Sequence, residues 1–492
     1  MNEVSLDQKV KTLLSKMTVD EKIAQLASVE AKRLLDKKFK FAPAAARKYM
    51  RDGIGQITRT LGYYCDKDDA HRRAGHMNNE FQRFLVTKTR LGIPAIVHEE
   101  CLAGIMGMGG TVFPQAIGLG CTFAPEAVRK MTDIIRRQLR GMGCHQGLAP
   151  VLDVQRDARW GRTEETLSED HYLVAAMGAA YIQGLQSGDL RNGVLATVKH
   201  FAGHGWSEGG RNLAPAHLTP REFHEIFLFP FEVAVRFAEA WSLMNAYHEV
   251  DGIPCASSRE LLTEILREKW GFKGIIVSDY AAIPMLHTHH HALASLKAAA
   301  VAALEAGLDI ELPQKECYAE PLKAALEEGL LAEETINLSV TRMLKVKHLL
   351  GLFEQPYVDA KKSAGNFDTF ADRRYAGELA RKTLVLLTNN GVLPLKNIKK
   401  LAVVGPNAAG TINLCGDYHI AAHRNYTRDS VRMVSILEGI RQRAGNRIAV
   451  LHAPGCAWND EERGGFGAAV ALARQADAVI ALMHDVIPAP GA

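Results

Sequence analysis

Seven short apolar runs recur through the first 310 residues, separated by longer segments in which apolar residues repeat with helical spacing. Short buried runs that alternate with amphipathic helices are typical of a parallel sheet built from strand–helix units. The runs cover residues 54–57, 93–97, 148–154, 194–198, 242–246, 274–277 and 307–310. We therefore predict an α/β fold whose first part is a (β/α)8-type TIM barrel, with seven strands assigned and an eighth unassigned.

Most of these runs end in polar residues. They are Glu99 and Glu100, Asp153, Lys199 and His200, Tyr247 and His248, Ser278 and Asp279, and Glu311. Because the carboxyl ends of barrel strands lie on one face, we predict that these side chains converge there. A carboxylate surrounded by Lys, His, Arg and Tyr suits a neutral polyhydroxylated ligand, since charged donors bind hydroxyls while one carboxylate does the chemistry.

The chain divides into two predicted domains. The barrel domain covers residues 1–355, and residues 356–380 are predicted as a linker because they lack periodicity and contain Pro356 and Gly365. Residues 381–492 form a second α/β domain, with strands predicted at 401–404, 447–451 and 478–482 and helices at 435–443 and 467–474. Three strands are fewer than the five or six of a doubly wound domain, so this domain is predicted to be partial.

Composition excludes several classes of partner. Lys and Arg number 59 against 55 Asp and Glu, which is too balanced for the basic footprint of a nucleic-acid-binding protein. The chain has no run of 18 apolar residues and no apolar segment near its first residue, so we predict no membrane partner and no signal peptide. Eight scattered cysteines without CxxC spacing predict neither disulfides nor a zinc site. We expect a cytoplasmic protein without metal or cofactor, and homo-oligomerisation stays open.

Five stretches carry a family resemblance in their order and spacing. They are residues 148–154 with 159–162 (RWGR), residues 199–201 (KHF), residues 209–212 (GGRN) with Pro215 and His217, residues 244–247 with 251–254 (DGIP), and residues 271–280 (GFKGIIVSDY). With them the chain resembles glycoside hydrolase family 3, in its β-glucosidase and β-xylosidase branch, over residues 10–486. The resemblance implies the family's barrel for the first domain and the front part of its α/β sandwich for the second.

The resemblance also implies roles for single residues. Asp279 would be the catalytic nucleophile, which attacks the anomeric carbon and forms a covalent glycosyl-enzyme in a retaining mechanism. The positive side chains among the substrate-binding residues would also keep Asp279 ionised. The implied substrate-binding residues are Glu100, Arg162, Lys199, His200 and Tyr247.

Four departures from the family pattern bear on catalysis. The family's acid/base glutamate follows a strand that corresponds to residues 478–482, but residues 485–490 (DVIPAP) contain no Gly-Glu pattern. The loop at residues 205–212 also lacks the Asp-Ser-His acid/base of the hexosaminidase-like relatives. Ala103 replaces a frequent His, and His204 replaces a common Tyr, which leaves the choice between glucose and xylose open.

Three hypotheses follow. The first is a C-terminally shortened, retaining exo-β-glycosidase that acts on a small oligosaccharide or glycoside and lacks its own acid/base, with Glu208 and His204 as the first candidates should the chain contain one. The second is a sugar-binding remnant with impaired turnover. The third is a metal-dependent hydrolase that uses the histidine run at residues 287–291 (HTHHH). Consecutive histidines point in different directions on any regular element, so we interpret this run as an exposed loop.

Overall fold

The computed structural model describes residues 3–63, 69–411, 414–420, 433–457 and 462–483. They form two compact units that divide between Thr383 and Leu384. Residues 356–380, predicted as a linker, therefore belong to the first unit, where they include a 3₁₀ turn at Lys362–Asn366 and most of the helix Phe370–Lys382. The Tyr375 hydroxyl donates to the carbonyl of Ala127 at 2.7 Å, which ties this helix to the barrel.

Twelve strands are described. They are β1 Ser28–Glu30, β2 Gln56–Thr58, β3 Ile96–Glu99, β4 Gln146–Gly147, β5 Leu195–Phe201, β6 Ser242–Asn245, β7 Glu249–Val250, β8 Ile253–Pro254, β9 Ile275–Val277, β10 Lys400–Val404, β11 Ala449–Ala453 and β12 Ala478–Ala481. The first unit contains one curled parallel sheet in the order β1-β2-β3-β4-β5-β6-β9, while β7 and β8 form a separate antiparallel pair.

Residues 309–311 join the two edges of this sheet. Ile310 forms a parallel bridge with Val277 of β9, and the backbone N–H of Glu311 donates to the carbonyl of Leu26, just before β1, at 2.9 Å. The Ser28 hydroxyl of β1 donates to the Glu311 carbonyl at 2.8 Å. The predicted (β/α)8-type barrel is thus confirmed.

The strand missing from the sequence prediction is β1. It is three residues long, and its Ser-Val-Glu sequence contains a single apolar side chain, so no apolar run marks it. Its position depends on the helix before it, Val19–Leu26, which begins at a capping box in which Thr18 and Glu21 bond each other's backbone N–H. Pairing with β2 and the bond from Ser28 to Glu311 then place β1 at the sheet edge.

Helices follow most barrel strands and bury one face each. In Pro125–Gly141, for example, Val128, Met131 and Ile135 are buried at helical spacing. No helix among the described residues is long and apolar enough to cross a membrane. The α-helices of the first unit are Glu3–Leu14, Val19–Leu26, Pro43–Met50, Ala70–Lys88, Ala116–Gly120, Pro125–Gly141, His171–Gln186, Pro220–Glu222, Phe229–Arg236, Ala282–Thr288, Leu296–Ala306, Glu320–Glu327, Glu333–Leu349 and Phe370–Lys382.

Shorter 3₁₀ and π segments complete the first unit. The 3₁₀ turns are Ala31–Leu34, Leu61–Tyr63, Thr163–Glu165, His204–Trp206, Glu208–Gly210, Cys255–Ser257 and Lys362–Asn366, and the π-helical segments are Phe223–Phe227 and Glu260–Lys269.

The second unit contains a three-stranded parallel sheet in the order β11-β10-β12. All three strands agree with the sequence prediction within two residues, and the two described helices, Ile436–Ala444 and Phe466–Ala473, match the predicted ones. Its buried core is small and consists of Leu401, Val403, Ala408 and Leu437. The predicted partial α/β domain is therefore confirmed for its described residues.

Candidate active site

The barrel face at the strand carboxyl ends brings together all six residues predicted for the site. β5 carries Lys199 and His200, which are joined by a cis peptide bond. The other four lie on the loops that follow β3, β4, β6 and β9, and are Glu100, Arg162, Tyr247 and Asp279. Their contacts form two sets, Lys199 with Glu100 and Asp279 with His200, Arg162 and Tyr247, which adjoin at the peptide bond between Lys199 and His200.

Asp279 follows β9 and is 7% exposed. Its backbone N–H donates to Asn245 Oδ1 at 3.2 Å, and its Oδ1 atom accepts from the backbone N–H of Tyr280 at 2.7 Å. The Oδ2 atom lies 3.6 Å from His200 Nε2 and has no hydrogen-bond partner among the described residues. The carboxylate is therefore held through one oxygen, while the other is free to react.

His200 is fixed from both sides of its ring. Its Nδ1 atom lies 2.7 Å from Asp153 Oδ2, and its Nε2 atom lies 2.9 Å from Arg162 Nη2. A guanidinium can only donate, so Nε2 must offer a lone pair and Nδ1 must carry the proton that Asp153 accepts. His200 is consequently a neutral imidazole, and burial together with the nearby Arg162 lowers its pKa well below the usual value.

Arg162 is buried in a bidentate ion pair with Glu165. Nε and Nη2 of Arg162 lie 2.7 Å from the two Glu165 carboxylate oxygens. This geometry holds the guanidinium plane in one orientation, so its remaining donor capacity points toward His200.

The loop that carries Arg162 is braced by the GGRN segment. Trp160 Nε1 donates to Asn212 Oδ1 at 3.2 Å. Gly210 has φ of 69°, and a Cβ atom there would lie 2.9 Å from the backbone of Trp160. Only glycine allows both the left-handed backbone and this close approach.

Lys199 and Glu100 form a buried ion pair. Lys199 Nζ lies 3.2 Å from Glu100 Oε2, and the two side chains are 2% and 9% exposed. A buried charge pair of this kind leaves further donor and acceptor positions that a ligand hydroxyl can use.

Tyr247 lies in the turn after β6, and its hydroxyl hydrogen-bonds the Asp279 carboxylate, which lowers the pKa of that group. Burial has the larger opposite effect, so the pKa of Asp279 is raised, with Arg162 and Lys199 acting against the shift. We expected three positive charges to hold Asp279 ionised. In the structure His200 is neutral, so the positive charges that oppose the effect of burial on the pKa of Asp279 are those of Arg162 and Lys199.

Two strand-end residues do not join the site. Glu99 Oε1 accepts the backbone N–H of Leu61 at 2.6 Å. Glu311 accepts three backbone N–H groups from residues 316–318, while burial raises its pKa to about 7. Both carboxylates anchor loops, so a polar residue at a strand end does not by itself mark a ligand contact.

Two residues of the site, Glu165 and Asn245, were not predicted for it, and Asp153 was predicted only as one of the strand-end residues. Burial raises the pKa of Asp153 to about 8, although His200 and Arg162 lie close to it. Glu165 follows Arg162 by three residues, which is the spacing of a helical ion pair. Asn245 is the last residue of β6, and its amide oxygen is the group that orients the Asp279 backbone.

The two candidate acids on the loop after β5 differ in exposure. His204 is fully buried, donates from Nε2 to the Asn212 carbonyl at 2.8 Å and stacks on His248 with ring centroids 5.2 Å apart. Glu208 is exposed and lies 3.2 Å from His217 Nε2. Neither has a described contact with Asp279.

Asp153, His200 and His204 are the described residues whose ligand atoms come close enough, within 4.8 Å, to suggest a metal. Two of these residues already share a 2.7 Å hydrogen bond, and the Arg162 guanidinium beside His200 would repel a cation. We interpret the group as support for His200. In the histidine run, His287 and His290 each bond a backbone carbonyl, so the interpretation as an exposed loop is wrong for His290, whose side chain is 4% exposed.

Two curated relatives show what the whole chain is similar to. The chain is 32% identical to a β-xylosidase of Formosa agariphila, over 97% of this chain and 61% of the relative. It is also 32% identical to the periplasmic β-glucosidase of Salmonella typhimurium, over 91% of this chain and 56% of the relative. The chain thus spans about six tenths of the length of these curated relatives.

Solved structures show the same fold. A β-glucosidase of Erythrobacter marinus superposes with a TM-score of 0.87 at 32% identity, over 97% of this chain and 65% of that one. A mutant β-glucosidase of Listeria innocua in complex with laminaribiose superposes with a TM-score of 0.84 at 27% identity, over 99% of this chain and 64% of that one.

Two family descriptions match the sequence, one for each compact unit. Residues 18–346 match the glycosyl hydrolase family 3 N-terminal domain, and residues 384–487 match the family's C-terminal domain. The first match contains every residue of the candidate site. The chain belongs to glycosyl hydrolase family 3.

Proposed function

We propose that this chain acts as a retaining, exo-acting β-glycosidase on terminal β-D-glucosyl or β-D-xylosyl residues of oligosaccharides or glycosides. The observation that carries the proposal is the Asp279 carboxylate, buried at the barrel mouth with one unpartnered oxygen and with Arg162 and Lys199 nearby. The names of the relatives, β-glucosidase and β-xylosidase, support this substrate class.

Asp279 Oδ2 would attack the anomeric carbon. The new bond joins Oδ2 to that carbon, the bond to the leaving oxygen breaks, and the leaving group departs with the electron pair. The Tyr280 backbone N–H holds the other carboxylate oxygen, and Asn245 holds the Asp279 backbone, so Oδ2 starts in a set orientation. Water would then hydrolyse the glycosyl-aspartate.

Lys199, Arg162 and His200 would bind the sugar hydroxyls. The two cations would donate to hydroxyls, and the neutral His200 would accept through Nε2, the atom that lies 2.9 Å from Arg162 Nη2. Lys199, His200 and Asp279 are nearly fully buried, so a sugar that contacts them would lose much of its own contact with solvent. Exo action is supported by the names of the relatives, β-glucosidase and β-xylosidase.

We further propose that the general acid/base is not among the described residues of this chain. The three carboxylates that share the site are each engaged, Glu100 by Lys199, Asp153 by His200 and Glu165 by Arg162. The cationic partners of Glu100 and Glu165 favour the ionised form, which makes these two carboxylates poor proton donors to a leaving oxygen. Asp153 is fully buried and bonded to His200 Nδ1, on the side of the ring that faces away from Asp279.

The sugar-binding remnant is the second candidate, and the same observation favours it. A site that has its nucleophile and binding groups but no acid would hold a sugar and turn it over slowly. General acid catalysis contributes on the order of 10² to 10⁴ in rate.

Leaving-group dependence tests the proposal. Dinitrophenyl β-glucoside or β-xyloside releases a phenolate that needs no proton, so we expect slow turnover that azide accelerates by attacking the glycosyl-enzyme. We expect cellobiose and xylobiose to be nearly inert. Ordinary cleavage of the disaccharides without an azide effect would mean that the chain contains an acid/base, with Glu208 and His204 tested first. Sugar binding without any release of dinitrophenolate would identify the remnant.

A further inference from the structure

The loop after the Ala282–Thr288 helix sends one histidine of the run back toward the site. His290 Nε2 lies 2.9 Å from the backbone carbonyl oxygen of Tyr247, and its Nδ1 lies 3.4 Å from Glu249 Oε2. A carbonyl only accepts, so the proton on Nε2 is donated to Tyr247. His290 therefore connects the loop that follows the Asp279 strand to the turn that follows β6.

The Tyr247 turn is held at three consecutive residues. The Ala246 N–H donates to the Phe201 carbonyl at 2.8 Å, and the His248 carbonyl accepts from the Cys255 N–H at 3.1 Å. Between these two bonds, the Tyr247 carbonyl accepts from His290. The His290 bond is the one of the three that comes from a side chain, so a substitution can remove it.

The contacts that begin at His290 end at the phenol group of Tyr247. Its hydroxyl interacts with the Asp279 carboxylate and lowers the pKa of that group, against the larger effect of burial. The direction of the phenol depends on the peptide plane of its own residue, because the side chain is attached to that short turn between β6 and β7. A rotation of the Tyr247 peptide would move the hydroxyl away from the carboxylate.

We propose that His290 is a positioning residue for Tyr247, and that through Tyr247 it sets the orientation of the Asp279 carboxylate. His290 does not touch the reacting atoms. Its imidazole holds the Tyr247 carbonyl through the proton on Nε2. This inference rests on the proposed function, because the value of an oriented Asp279 is its attack on the sugar.

Two variants and one control isolate this contact. His290→Leu removes the donor, and His290→Gln keeps an N–H that can reach the same carbonyl. His291→Asn is the matched control, since it removes an exposed imidazole from the same loop at a residue with φ of 51°, which Asn tolerates. All variants are compared in the 492-residue chain.

A crystal structure of His290→Leu gives a readout that needs no activity. We expect the Tyr247 hydroxyl to leave the Asp279 carboxylate in His290→Leu and to stay in the other two variants. A Tyr247 side chain that keeps its place in His290→Leu would overturn the inference, whether or not the chain proves to be a glycosidase.

Kinetics then separate positioning from general support of the fold. The rate of covalent labelling by a 2-deoxy-2-fluoro dinitrophenyl glycoside should fall by about 10- to 100-fold in His290→Leu and recover in His290→Gln. In a Tyr247→Phe background, the same His290→Leu change should have little further effect, because the two residues act through one contact. Equal losses in both backgrounds would show that His290 only stabilises the loop. An unlabelled wild-type chain would count against the proposed function, with the crystal structure still deciding the role of His290.

Discussion

The two compact units use the same strand–helix pattern and differ in how far they bury it. In the barrel, Val198 of β5 and Leu243 of β6 are fully buried, and each lies in a strand with a neighbour on both sides. In the second unit, Val403 of the central strand is buried, but Val479 of the edge strand β12 is 46% exposed. No residue of the Phe466–Ala473 helix is buried.

The first residues of the second unit show the same difference. Leu384, Val385, Leu386 and Leu387 form a continuous apolar run, yet they are 56–90% exposed and belong to no strand. An equally apolar run in the barrel, residues 194–198, is a fully buried strand. Apolar sequence therefore predicts burial where a strand has neighbours on both sides, as central β10 has, and closure of the barrel supplies such neighbours to every strand.

The two units also differ in whether they can bury charged side chains. Buried charges need partners, and the closed barrel supplies them in the pairs around Asp279. A three-stranded sheet has too little interior to bury such pairs. The predictions below test whether stability and chemistry are both concentrated in the closed unit, from the largest expected effect to the smallest.

Replacing the nucleophile should remove the chemistry altogether. In Asp279→Asn, we expect hydrolysis of a dinitrophenyl β-glycoside to fall by on the order of 10⁴-fold or more, because the amide cannot form the glycosyl ester. Mass spectrometry after exposure to a 2-deoxy-2-fluoro glycoside should find no label. Asp251→Asn, at an exposed turn residue, is the control and should label normally. A label on any other carboxylate of the wild-type chain would show that the assignment is wrong.

Shortening one apolar side chain in each unit should lower the free energy of unfolding in the barrel and leave it nearly unchanged in the second unit. Leu243→Ala removes a fully buried side chain from β6 and should lower the free energy of unfolding of the barrel by about 2 to 5 kcal/mol. Leu386→Ala removes a side chain that is 64% exposed and should change stability by less than about 0.5 kcal/mol. Urea unfolding followed for each variant measures both values. A comparable loss in Leu386→Ala would mean that the second unit buries this run, and the comparison would fail.

The ion pair at the end of β5 should matter for binding more than for folding. Lys199→Ala removes a charged hydrogen bond to a sugar hydroxyl worth about 1.5 to 3 kcal/mol, equivalent to a loss of about 10- to 150-fold in affinity. Calorimetric titration with a glucose- or xylose-derived imino sugar measures it, and circular dichroism checks the fold. Because Glu100 loses its partner, Lys199→Ala with Glu100→Gln should unfold less readily than Lys199→Ala alone. Unchanged affinity in Lys199→Ala would place the sugar elsewhere.

The pH dependence tests the electrostatic balance at Asp279. Burial raises its pKa, while Arg162 is the strongest of the groups that lower it. Attack requires the carboxylate, so labelling should increase as pH rises through the pKa of Asp279. In Arg162→Gln, this increase should occur at higher pH, because one of the two cations that lower the pKa of Asp279 is then missing. If the labelling rate rises over the same pH range in Arg162→Gln as in the wild type, Arg162 does not act on the nucleophile.

Much of this organisation could be predicted from single residues and runs. Apolar runs located five of the seven strands of the barrel sheet, the run at 148–154 begins just after β4, and polar residues at the run ends pointed to the correct face. β1 could not be found because only one of its three residues is apolar, and it is a strand because β2 and residues 309–311 enclose it. The helix Phe370–Lys382 was assigned to a linker because the aperiodic stretch before it hides its start.

The sequence by itself determined the α/β class, the two-unit organisation, the family, and which side chains gather at the barrel mouth. Tertiary structure decided which strand-end carboxylates serve the site, because Asp153 accepts from the His200 imidazole, whereas Glu311 accepts backbone N–H groups of its own loop. It also decided that His200 is neutral and that His290 is buried against Tyr247. Protonation, tautomer and burial depend on neighbours that are distant in the chain, and a linear pattern does not contain those distances.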